Sequence, residues 1–426
     1  MRRPSLARYA PALTALGQRF RFDAHYYAKN SGFVVVGHVV GFLRGIVTGY
    51  LVARLFDQSI YGEYQFMLSI VGMISVLNLS GMPHSVTRAW ARGDRFSMRR
   101  ITLTQFYISA IGSCILFGAI PFLGMYGREE LWSLFLVAGI LFPLPPIAMV
   151  LFGGYTVGLS RFDIALKANF VWSALMMLAS LIVVFMHQSS LLMLIVTMSI
   201  PSLVYLFFLR RLRPPSDTYE TENTRKVVRY AWQLTFATFP SEIVWYIDKL
   251  MISHFFGLNQ LALFSVAILI PEQAKIFLKQ FFPISFAKQA KGGDTMARRR
   301  QLFRVVLLGT LLFAVCIALY ILAAPWLMPF LFPGYEAKEL VLLTSVAAAS
   351  LITMPSTLLS QYLDAQGLIR HNYRTNWTSA AVFAVLLVWL IPQYGLLGAV
   401  LARFGARLTS SVMSWMLLAY HRPTQV

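Results

Sequence analysis

Six charged residues interrupt sequence that is otherwise apolar enough for lipid. Residues 240–279 read as two apolar helices joined by a short turn, yet they carry Glu242, Asp248, Lys249, Glu272, Lys275 and Lys279. Charge inside a membrane span is costly, and such groups usually face a bundle interior or a watery cavity on a transport path. On a helix, Glu242 and Lys249 are seven apart and share a face, with Trp245 and Tyr246 between them. Glu272, Lys275 and Lys279 follow an i, i+3, i+7 pattern and form a second stripe. The competing meaning is structural: internal ion pairs, or chain ends snorkelling to the interface.

A seventh charge, Arg44, lies deep in another apolar stretch. A buried guanidinium can grip phosphate oxygens in a two-pronged fashion, or pair with an acid elsewhere in the bundle. Gly37, Gly41, Gly45 and Gly49 recur every four residues around it and form a ridge that lets another helix approach closely. His38 reads as a packing histidine. Arg403 and Arg407 are four apart on one face of the last apolar stretch, where they line a cavity or cap its inner half. Pro145, Pro146, Pro271 and Pro355 interrupt helices and should kink them.

The elements that must hold these residues are membrane helices. Twelve windows of about the spanning length occur at 31–53, 64–81, 101–123, 131–153, 164–186, 190–209, 229–255, 260–286, 302–325, 340–363, 372–392 and 394–419. Basic residues crowd alternate connections. Arg88, Arg92, Arg95, Arg99 and Arg100 follow the second window; Arg210, Arg211, Arg213, Arg225, Lys226 and Arg229 follow the sixth; Lys288, Lys291, Arg298, Arg299 and Arg300 follow the eighth. Odd connections are poor in them, which places both termini in the cytoplasm.

These windows predict an all-α integral membrane fold of two six-helix bundles. Its parts are a basic N-terminus (1–30), a first bundle (31–209), a polar linker (210–228), a second bundle (229–420) and a short tail (421–426). A trace of duplication supports the division. A shift of 209 lays Pro146 on Pro355 and Gly158-Leu-x-Arg161 on Gly367-Leu-x-Arg370; a shift of 200 lays Arg54-Leu-Phe beside His254-Phe-Phe. Repeats of six spans each are parallel, and transporters of this symmetry bind substrate near the midplane between halves.

Composition narrows the function. The chain is 58% hydrophobic and 13% charged over 426 residues, about half the charge of a soluble protein. Its net charge of +20 lies in short clusters between apolar spans, so topology control explains it better than nucleic acid does. Two cysteines, Cys114 and Cys316, fall within spans and make no metal-binding spacing. Neither a nucleotide-binding Gly-rich Lys motif nor a credible Ser/His/Asp set is present, so no cofactor is expected beyond a coupling H+ or Na+.

Several stretches carry a resemblance. They are Leu51-Val-Ala-Arg-Leu-Phe-Asp-Gln-Ser-Ile-Tyr61-Gly62-Glu-Tyr64-Gln-Phe, Asn78-Leu-Ser-Gly81-Met-Pro, Tyr246-Ile-Asp248-Lys-Leu-Met-Ile-Ser-His-Phe-Phe-Gly257 and Tyr394-Gly-Leu-Leu-Gly398-Ala. Together they resemble Wzx-type polysaccharide and O-antigen flippases of the multidrug/oligosaccharidyl-lipid/polysaccharide (MOP) exporter superfamily. That resemblance implies a MATE-like fold in a bacterial inner membrane. It also implies movement of an undecaprenyl-diphosphate-linked oligosaccharide between leaflets, in lipopolysaccharide or related polysaccharide biosynthesis, with a polysaccharide polymerase complex as a partner. Arg44, Lys249 and Lys275 are then the first choices to receive the diphosphate, with Lys279 and Arg403 beside them. Glu242, Asp248 and Glu272 carry a coupling ion or balance those cations. The alternative is an ion-coupled multidrug exporter, in which the three carboxylates are the working groups. A membrane glycosyltransferase, polymerase or ligase would need large extracytoplasmic loops, and every odd connection is short.

Overall fold

In the computed structural model, residues 24–125, 129–159, 161–186, 188–212, 221–279, 296–365 and 369–420 are described. The bulk of the basic N-terminus, linker residues 213–220, the tail from 421 and the side chains of His38, Trp245 and Lys279 lie outside this set. Helices dominate the described residues, and no strand occurs among them. The first half runs α1 (Ala24–Leu55), α2 (Gln58–Ser75), α3 (Met82–Arg92), α4 (Met98–Met125), α5 (Trp132–Leu141), α6 (Leu144–Ala148), α7 (Gly154–Gly158), α8 (Phe162–Met186) and α9 (Ser190–Leu212). The second half runs α10 (Thr221–Phe255), α11 (Gly257–Lys279), α12 (Met296–Leu331), α13 (Ala337–Ala349), α14 (Thr357–Ala365) and α15 (Ile369–Tyr420).

Seven helical stretches are long and apolar enough to cross a membrane: Met98–Leu123, Glu129–Gly158, Phe162–Met186, Ser190–Arg210, Leu302–Leu331, Ala337–Ser360 and Tyr373–Leu418. The last contains a sharp break at Gly395, whose φ of 57° and ψ of −132° are open to glycine and closed to most L residues. The expected connection between the eleventh and twelfth windows is thus a single-residue corner between two helical arms. The helices outside these seven include α1, α10 and α11, which carry the charges singled out above. Large apolar side chains point outward, as Leu308, Leu312, Leu319, Leu322, Trp326 and Phe330 do along α12. In water such a surface would aggregate; in a bilayer it is the expected exterior.

Three windows depart from single helices. The second ends early: α2 stops at Ser75, a turn follows with Leu79 at a φ of 51°, and α3 begins at Met82. The fourth is built of α5, α6, a π turn over Met149–Gly153 and α7, because Pro143, Pro145 and Pro146 deny the chain its donors and crowd the preceding carbonyls. In the second half, α13 and α14 are joined by a 3₁₀ stretch, Ser350–Ser356, containing Pro355. Ser350 and Thr353 donate their hydroxyls to carbonyls three residues back, at 2.6 and 2.9 Å. These bonds occupy acceptors that the irregular turn leaves over. The two irregular helices sit at positions related by the 209-residue shift. The tight joints α1–α2 and α10–α11 correspond at the 200-residue shift, the latter turning on Gly257 at a φ of 84°.

In the first half α1 packs on α8, α8 on α9, and α4 on α5; in the second, α10 and α13 pack on α15, and α12 on α13. The halves meet along α2 with α10 and α11, α1 with α11, and α3 with α10. The largest apolar core spans this junction, holding Val52, Phe56, Tyr61 and Tyr64 from one side and Leu261, Phe264, Ala267 and Ile391 from the other. Glycines let the backbones close up there. A Cβ on Gly62 would strike the Leu258 carbonyl oxygen, and one on Gly72 the Tyr246 ring. The α1 ridge divides its partners: Gly37 faces Leu166 and Asn169 of its own bundle, whereas Gly45 and Gly49 face Gln273 and Leu269 of the other.

Candidate functional site

The charges of α10, α11 and the second arm of α15 converge on one buried network. Asp248, fully enclosed, is gripped by Arg403, whose Nη2 donates to Oδ1 at 3.0 Å and whose Nε donates to Oδ2. Arg403 also donates from Nη1 to Oε1 of Glu272 at 3.1 Å. The same oxygen accepts from Arg407 Nη2, and Glu272 Oε2 accepts from Lys275 Nζ. Arg407 reaches on to Ser350 in the irregular turn between α13 and α14. The irregular backbone in the second half is therefore tied to this charged cluster.

Lys249 differs from these three cations. Its Nζ donates to Gln65 Oε1 of α2 at 3.0 Å, across the boundary between halves, and Gln65 Nε2 donates to the Tyr61 hydroxyl at 3.0 Å. It forms no ion pair among the described residues, whereas Lys275, Arg403 and Arg407 each contact a carboxylate. Glu242, expected to share its face, likewise makes no ion pair among the described residues. Tyr246, three residues before Lys249, fills the space beside Gly72 of α2, the helix that also carries Gln65.

Arg44 stands apart from this network. Its guanidinium carbon lies 3.8 Å from the centre of the Trp172 ring of α8. Its Nε is buried without a hydrogen-bond partner, and it makes no ion pair among the described residues. Such a cation, held over an aromatic face, retains charge for an incoming anion. Of the proposed cation set, then, Lys249, Lys275 and Arg403 are brought together, Arg44 is placed in the other half, and the Lys279 side chain is outside the described residues.

Gln65, Tyr61 and Ser350 completed the site without being singled out by sequence. Gln65 had a signal, as an amide within an apolar window; a serine or tyrosine in a membrane helix carries none.

Among the described residues, Lys275, Arg403 and Arg407 are paired to two carboxylates, Asp248 and Glu272, while Lys249, next to Asp248 in the chain, is held instead by Gln65. Seven long apolar helical stretches and an apolar exterior around this buried network make this a multi-pass membrane protein. Residues 27–273, more than half of the chain, match the family described as polysaccharide biosynthesis protein, and the chain belongs to that family. Solved structures agree on the fold. An inward-facing multidrug resistance MATE family transporter of the MOP superfamily superposes with a TM-score of 0.65 at 12% identity, covering 88% of this chain and 93% of the other. A MOP superfamily transporter from Pyrococcus furiosus, described as having a binding pocket of reversed polarity, gives 0.60 at 14% identity over 92% and 94%. The lipid II flippase MurJ, in an inward closed conformation, gives 0.61 at 11% identity over 92% and 87%. No curated protein matches the chain in sequence.

Proposed function

We propose that the protein flips an undecaprenyl-diphosphate-linked oligosaccharide from the inner to the outer leaflet of a bacterial inner membrane by alternating access. The observation that carries this reading is that two cations, Lys249 at the junction of the halves and Arg44 over Trp172, make no ion pair among the described residues. A cation drawn out of water needs a counter-charge, and a diphosphate supplies one. Lys249 and Arg44 are its first contacts. Lys275 and Arg403 set the local potential while their carboxylates hold them in place. The prenyl tail stays in lipid, the sugars occupy the space between bundles, and rocking of one bundle against the other turns the site outward. The termini are cytoplasmic, as the alternation of basic connections indicates. On the far side, a polysaccharide polymerase takes up the glycan. No residue is given a catalytic role.

The test is transport of a fluorescent undecaprenyl-diphosphate-linked sugar in proteoliposomes, read by quenching of the outer leaflet. Protein-dependent exchange that is lost in a Lys249→Ala, Arg44→Ala double variant is expected. Exchange no faster than in protein-free vesicles overturns the proposal.

A second reading, an ion-coupled multidrug exporter, is favoured by one observation: Glu242 has no ion pair among the described residues and so has a carboxylate to offer H+ or Na+. Drug resistance on overexpression that vanishes in Glu242→Gln, with no diphosphate-lipid exchange, would select it.

A further inference from the structure

Lys249 belongs to the second bundle, yet the group that holds its ammonium, Gln65, belongs to the first. The amide is itself fixed. Its nitrogen donates to Tyr61, a fully buried side chain in the core that spans the junction. The donor direction therefore assigns the Gln65 oxygen, not its nitrogen, to Lys249. A lysine side chain is among the costliest to immobilise, and affinity rises when that cost is met before the ligand arrives.

We infer that Gln65 is a positioning residue for anion binding. It holds the Lys249 ammonium ready for a diphosphate, and it can do so only while the two bundles keep their present relation. The inference rests on the function proposed above and adds regulation of its site. Because the two partners ride on different bodies, separating the bundles frees Lys249 and lowers affinity for the diphosphate. Substrate is thus held in one conformation and let go in another, with no change in the number of cations. A neutral partner suits this task. A carboxylate in its place would fix the lysine equally well but cancel the charge that the diphosphate needs.

Equilibrium binding of farnesyl diphosphate to the full chain in nanodiscs tests this. The wild type should bind, Gln65→Ala should bind about tenfold more weakly, and Gln65→Glu at least as weakly despite its near-identical shape. Tyr61→Phe, which unlocks the amide, should give an intermediate loss. In a Lys249→Ala background, Gln65→Ala should have no further effect, which a purely structural role would not produce. The native cysteines provide a second readout, since Cys114 and Cys316 are exposed and lie one in each half. Spin labels there should show the ligand narrowing the inter-bundle distance distribution in the wild type and failing to do so in Gln65→Ala. If the wild type binds and Gln65→Ala binds equally or more tightly, the role of Gln65 is overturned and the flippase reading survives. If the wild type binds no better than Lys249→Ala, the diphosphate reading itself fails and this inference falls with it.

Discussion

Arg403 closes on Asp248 like a fork on a bar, with Nη2 on one carboxylate oxygen and Nε on the other, across 155 residues of sequence. The pair ties α10 to the last arm of α15, and its members are almost wholly enclosed. Removing one partner of a buried pair leaves an uncompensated charge. Asp248→Ala should therefore lower stability by about 3 kcal/mol, measured by thermal or denaturant unfolding in detergent. The double variant Asp248→Leu, Arg403→Leu should lose less than the sum of the single changes.

Lys249 and Lys275 should separate function from stability. Lys275 is locked to Glu272, so Lys275→Ala exposes that acid to Arg403 and Arg407 alone and should lower the unfolding temperature. Lys249 gives up only a hydrogen bond to a neutral amide, worth about 1.5–3 kcal/mol at most. Its replacement by alanine should stop lipid exchange in proteoliposomes while the fold survives. Equal unfolding temperatures for the two variants would contradict this division.

Glycines at the junction offer a test that involves no charge. A Cβ on Gly62 would meet the backbone oxygen of Leu258, whereas one on Gly118 meets nothing within 4 Å. Gly62→Ala should cost about 1–3 kcal/mol and disturb how the halves seat, while Gly118→Ala should stay within about 0.5 kcal/mol of wild type. Calorimetry on both would decide it.

Arg44 should behave as a working cation and not as a structural one. Over the Trp172 ring it is stabilised by about 1–2 kcal/mol, with no ion pair among the described residues to break. Arg44→Ala should leave folding nearly intact but lower lipid exchange at least tenfold. Trp172→Leu, which removes the aromatic support alone, should give a milder loss. A severe folding defect in Arg44→Ala would mark it as structural instead.

Much of this was legible in the residues. Long apolar runs separated by basic clusters foretell membrane helices, because a helix satisfies its backbone hydrogen bonds within a single segment. The GxxxG ridge around Arg44 foretells close helix approach. The pairings were not legible. Helical spacing shows that Arg403 and Arg407 share a face, but only tertiary packing brings them to Glu272, more than 130 positions earlier. The stripe of Glu272 and Lys275 proved to be an ion pair on one helix, whereas Glu242 and Lys249, equally suggestive by spacing, form none among the described residues. Gln65 could not be chosen over other lone amides, since its importance depends on which lysine lies opposite. The end of α2 at Ser75 was also hidden, because residues 76–81 are as apolar as the helix before them.

The glycine ridge of α1 has one more consequence. Its lower turns lie against α8 of the first bundle through Gly37, and its upper turns against α11 of the second through Gly45 and Gly49. A straight rod seated in two bodies cannot stay seated in both when they part. Any rocking motion must therefore flex α1 between Gly41 and Gly45 or peel one end from its bed. Arg44 sits at that fulcrum, so the cation that would meet the diphosphate is also carried by the part of the molecule that must bend.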